Sequence, residues 1–118
     1  MNRFYIAAGG VAGILGVSLG AFGAHGLKGI LSPEMMEIFR TAVLYHLLHA
    51  VAIIALSANS IKFNSASTFF LTGIILFSFS LYLYAVTGIK IFALITPLGG
   101  ISFLVGWGLV VMVGVRKN

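Results

Sequence analysis

Four apolar stretches, each about as long as a bilayer is thick, constrain this chain more than any other feature. They run from about Tyr5 to Leu27, Thr41 to Ala58, Ser67 to Thr87 and Phe92 to Val115, with short intervals marked by Lys28, Lys62 and Lys90. A hydrocarbon core of about 30 Å takes about 20 helical residues to cross, and the first stretch would rise roughly 35 Å. The stretches are continuously apolar and do not alternate in twos. They therefore read as helices, since lipid leaves backbone groups no other partner outside a closed barrel.

Composition agrees. Of 118 residues, 60% are hydrophobic and 8% charged, against about a quarter charged in an ordinary soluble domain. A soluble fold of this size could not cover that much apolar surface. The expected architecture is all-α: a single domain over 1–118, an integral membrane four-helix bundle with helices at about 5–27, 33–58, 67–87 and 92–115. The lipid bilayer is its first partner. Without cysteine the chain has no disulfide, thiolate nucleophile or sulfur-ligated metal. Its formal charge of +5 comes from cations set singly along the chain, a pattern of topology signals and headgroup contacts that excludes a nucleic-acid stripe.

The first stretch has a rival reading as a cleaved signal peptide, because Arg3 precedes it and Ala21-Phe22-Gly23 resembles a small-residue cleavage site. Its length and glycine content favour a retained span. Four spans put both termini on one side with Arg3, Lys62, Arg116 and Lys117, and leave Lys28, Arg40, Lys90 and both acids on the other. By the positive-inside rule the termini are expected in the cytoplasm, with the protein multi-pass in the plasma membrane. Between the first two spans, Ser32-Pro33-Glu34 has the order of an N-cap, a first-turn proline and a first-turn acid. The second helix therefore starts at Pro33, with a short amphipathic opening that carries Glu34, Glu37 and Arg40.

The first span is crowded with glycine, which costs about 1 kcal/mol against alanine in a solvated helix. Gly9, Gly13, Gly16, Gly20 and Gly23 are spaced 4, 3, 4 and 3 apart, on one stripe of a helix wound at about 3.5 residues per turn. Such a stripe is a packing seam, because membrane helices associate by close van der Waals approach. Two partners suit it: the fourth helix, where Gly99, Ser102 and Gly106 make a shorter stripe, or the first helix of another copy. Gly26 and Gly29 read as cap and loop residues.

Polar residues within the spans are few. In an antiparallel hairpin His25 lies at about the depth of Glu37 and Arg40, near the interface, where Arg40 can snorkel and pair with Glu37. His46 and His49 lie about 9 and 13 Å deeper than Arg40. Two roles suit them: bonds between helices, or a proton or solute path with His25, Glu37 and Arg40. A metal site would need further ligands, and no metal or cofactor is expected. Thr96-Pro97 is expected near the first turn of the fourth helix, Tyr82 and Tyr84 in the interfacial belt, and Trp107 in packing. No phosphate loop, nucleophile elbow or membrane-interior carboxylate pair occurs, so the chain does not read as an enzyme.

Gly20-Ala21-Phe22-Gly23-Ala24-His25-Gly26-Leu27, Tyr45-His46-Leu47-Leu48-His49-Ala50, Ser80-Leu81-Tyr82, Thr96-Pro97-Leu98-Gly99-Gly100, Ser102-Phe103 and Gly106-Trp107 together form one pattern. It resembles the YgdD and YwdK family of small bacterial membrane proteins, a domain of unknown function, nearly end to end. The resemblance implies four spans in the plasma membrane and supplies no reaction. Two functions are therefore expected in competition. One is a structural or interaction bundle, homo-oligomeric or supporting other membrane proteins; the other is a transporter or channel subunit using the polar residues as an outward-opening path.

Overall fold

The computed structural model describes residues 2–116; Lys117, counted above among the cations beside the termini, lies outside them. Four helices, α1 (Arg3–His25), α2 (Pro33–Asn59), α3 (Ile61–Thr87) and α4 (Lys90–Val115), are each long and apolar enough to cross a membrane. The protein is all-α, and the described residues contain no strand.

Local chemistry sets the helix ends. Asn2 Oδ1 accepts the N–H groups of Phe4 and Tyr5 at the start of α1. Ser32 Oγ accepts Met35 N–H, with Pro33 behind it where a missing donor does no harm. α3 starts six residues earlier than the apolar pattern suggests. Ser60 Oγ accepts Lys62 N–H and nucleates a 3₁₀ turn over Ile61–Phe63, onto which polar Asn64 and Ser65 wind as helix. Gly88, in the left-handed conformation at φ 71°, ends α3 by donating to Tyr84 O.

Pro97 is not in the first turn of its helix, because α4 begins at Lys90 and encloses it. The fourth span thus gives up one internal hydrogen bond, which membrane helices tolerate where neighbouring hydroxyls help. Thr96 Oγ1 stands beside it, bonded to Phe92 O and to Ser80 Oγ of α3.

Each helix packs on the one before it, while among the described residues no α-carbons of α1 and α4 approach within 8 Å. The glycine stripe of α1 therefore does not meet the fourth helix. It lies on α2: a Cβ at Gly9 would fall 2.6 Å from Ile54 Cγ1, at Gly16 2.5 Å from Leu47 Cδ2, at Gly20 3.2 Å from Val43 Cγ1, and at Gly23 2.5 Å from the Phe39 ring. Gly13, the middle member, faces open space.

The stripe on α4 lies on α3 instead. A Cβ at Gly106 would come within 2.5 Å of the Phe70 ring, and one at Gly99 would collide with the backbone of Leu76 and Phe77. Ser102 Oγ between them donates to Phe69 O at 2.7 Å. Opposite Gly99, residues Ile74–Phe79 of α3 form a π-helical turn. Such turns shift the side-chain register by about one residue. Ser78, within the turn, and Tyr82, three residues after it, both bond to α2.

Candidate functional site

The spans bury three groups that carry most of the polar chemistry: His46 and His49 of α2, and Tyr82 of α3. The two histidines are three residues apart, about 60° around α2, yet they find partners on different helices. His46 points toward α1 and α3, and His49 toward α3 and α4.

His46 Nε2 lies 2.8 Å from Ala12 O, and Nδ1 lies 2.8 Å from Tyr82 Oη. A carbonyl only accepts, so Nε2 carries the proton. In the neutral ring Nδ1 is then the acceptor and the tyrosine hydroxyl donates to it. One imidazole thereby joins three helices, α1 through a backbone carbonyl and α3 through a phenol. Tyr82 is not the belt residue expected from the sequence. It is buried, with its ring against Phe39 and Phe79, and the hydrogen bond to His46 draws its hydroxyl inward.

His49 has the opposite tautomer. Its Nδ1 donates to Tyr45 O one turn earlier, at 2.7 Å, and its Nε2 accepts from Trp107 Nε1 of α4, at 3.0 Å. An indole N–H can only donate and a carbonyl can only accept, so this geometry holds His49 neutral. The imidazole lies flat on Phe103, with ring centroids 3.7 Å apart, and edge-on to Phe70 and Trp107. This aromatic layer spans the distance between α2 and α4, whose backbones stay apart. Trp107 is therefore a packing residue with a specific bond, and the residue remains 40% exposed to the surroundings of the bundle.

The other members of the expected polar group lie elsewhere. His25 is exposed at the last position of α1. Glu37 and Arg40 form an exposed ion pair at 2.9 Å on the first turns of α2. Of the candidate residues, His25, Glu37 and Arg40 are thus exposed, while His46 and His49 are buried against different helices.

Further hydroxyl bonds tie α3 to α2 and to α1. Ser57 meets Ser67 at 2.9 Å, Ser78 donates to Ala42 O at 2.9 Å, and Tyr5 bonds Thr68 between α1 and α3. The serines were not singled out in the sequence. Their only signal was a small hydroxyl residue inside an apolar run, which serine shares with unbonded positions. Where α1 and α3 diverge, an apolar cleft of about 430 Å³ opens, with Ala8, Leu15, Ile75 and Phe79 on its walls and His46 at its floor.

Comparison with known proteins matches this architecture to one group. Residues 19–100 match the family described as Protein of unknown function (DUF423). The chain is 37% identical to the UPF0382 membrane protein YwdK of Bacillus subtilis over 97% of its own length and 98% of the relative's. It is 37% identical to the UPF0382 inner membrane protein YgdD of Escherichia coli K12, over 98% of this chain and 92% of that one. The UPF0382 membrane protein SH2409 of Staphylococcus haemolyticus is 38% identical over 89% of each chain. No solved structure matches. With four apolar helices and relatives aligned almost end to end, the chain belongs to the DUF423 family of bacterial membrane proteins.

Proposed function

We propose that this protein acts by association within the plasma membrane, with further copies of itself or with other membrane proteins, and that its histidines are structural bonds between helices. One observation carries this reading: both nitrogens of both buried imidazoles already have partners inside the chain. A proton or solute path would draw on those same atoms. The exposure of His25 and of the Glu37–Arg40 pair, against the burial of two histidines that face different helices, also favours it. Both termini are assigned to the cytoplasm on the charge bias of the flanking residues. Apart from Gly13, the α1 glycine seam is already filled by α2 within one copy, so association falls to other surfaces, such as the walls of the α1–α3 cleft.

The test has two parts. Single-molecule photobleaching of labelled protein in a native-like bilayer should show two or more copies, or co-localisation with a second membrane protein. A solitary copy at every density would refute association. In proteoliposomes, a proton or solute flux abolished by His49→Ala in a folded protein would replace this reading with transport.

A further inference from the structure

The outer surface of α2 carries a feature that neither histidine explains. Arg40 stands where three hollows meet. One is a polar mouth of about 490 Å³ between the 26–32 loop and α2, lined by Lys28, Glu37 and Arg40 with Leu31, Pro33 and Met36. The second is a shallow, open apolar groove of about 470 Å³ on α2 alone, running from Arg40 along Val43, Leu44, Leu47, Leu48 and Val51. The third, about 110 Å³, lies between α1 and α2, lined by Gly20, Gly23 and Ala24 on one side and Phe39 and Val43 on the other.

Charge and depth agree with this layout. Arg40 is seven residues into α2, about 10 Å below its start, a depth that suits a long stem among acyl chains with its charged head at the phosphate level. Glu37 engages Nη1 alone and the side chain remains 66% exposed, leaving the rest of a planar fork that suits a phosphate. Lys28 adds a second cation to the same mouth, so its three charged side chains sum to one positive charge.

We infer that Arg40 and Lys28 form a binding site for an anionic glycerophospholipid of the leaflet at this end of the bundle, with its phosphate on the guanidinium and an acyl chain in the Val43–Val51 groove. Charge complementarity selects this occupant. A symmetric contact with a second copy would bring the same cations against each other, whereas an anionic headgroup neutralises them. The α1–α2 hollow beside Gly20 accepts part of the second chain. The site is independent of the association proposed above, because one copy supplies all of it.

The test uses phosphatidylglycerol and phosphatidylcholine probes, each with a photoactivatable group on one acyl chain, in bilayers containing the full-length protein. Peptide mapping then measures labelling of residues 43–51. Phosphatidylglycerol should label the groove several times more than phosphatidylcholine, and Arg40→Gln or Lys28→Gln should each lower that preference about fivefold, the equivalent of about 1 kcal/mol per surface cation. Glu37→Gln, which releases the guanidinium, should raise it. Lys28→Gln changes only an exposed loop side chain and serves as the test if Arg40→Gln misfolds. Equal labelling by the two lipids, an unchanged preference in a folded Lys28→Gln variant, or cross-links between copies through Leu44 and Leu47 would overturn the proposal.

Discussion

The α1–α2 and α3–α4 interfaces both depend on glycine, yet they are built differently. On α2, the nearest atoms to the glycines of α1 belong to side chains, Ile54, Leu47, Val43 and the Phe39 ring, with the backbone reached only at Ala50 O, 3.2 Å from a Cβ at Gly9. On α3, Gly99 meets the backbone itself at Leu76 and Phe77, beside the π-helical turn, while Gly106 meets the Phe70 ring. Side chains can change rotamer to admit a methyl group, but a packed helical backbone can only move as a unit. The conspicuous five-glycine stripe therefore makes the more forgiving contact, and a single glycine in the shorter stripe makes the tightest one.

This difference can be broken experimentally, in a graded series measured by reversible unfolding in mixed micelles. Gly99→Ala should have the largest effect, a loss of about 3 kcal/mol at the upper end of overpacking costs, with α3 and α4 forced apart. Gly16→Ala should cost about 1–2 kcal/mol, because Leu47 must turn aside. If both substitutions cost the same, the distinction between backbone and side-chain contact fails.

The aromatic layer between α2 and α4 sharpens the comparison, since there the helices are held apart by large side chains and one bond. Trp107→Phe keeps the ring but removes the donor to His49, and should cost about 0.6–1.7 kcal/mol, the range for hydrogen bonds between membrane helices. Gly13→Ala should be the smallest change, within about 0.5 kcal/mol of neutral, because a methyl group there meets nothing. A large loss at Gly13 would mean that another chain lies against that face.

The two histidines teach a related lesson. Their spacing and depth were visible in the chain, and so was the choice between glue and pathway. What each nitrogen touches was not. His46 faces Tyr82, whose hydroxyl can either donate or accept, whereas His49 faces an indole that can only donate. Two identical residues one helical turn apart thus differ in how firmly their neutral form is held. That difference comes from residues 36 and 58 positions away.

From the sequence alone came the four spans, the all-α class, the start of α2 behind Ser32-Pro33 and the presence of two close-packing glycine stripes. Each follows from local rules: apolar length against bilayer thickness, capping chemistry, and the absence of a side chain at regular spacing. Tertiary structure alone decided that α1 lies on α2, that Gly13 is unfilled, that Tyr82 turns inward, and that Pro97 is enclosed by its helix. A stripe records that something can approach closely, but not which neighbour does. That choice is a competition among all the faces at once, settled here by short connections that pair consecutive helices and by buried hydroxyl and imidazole groups that must each find a partner.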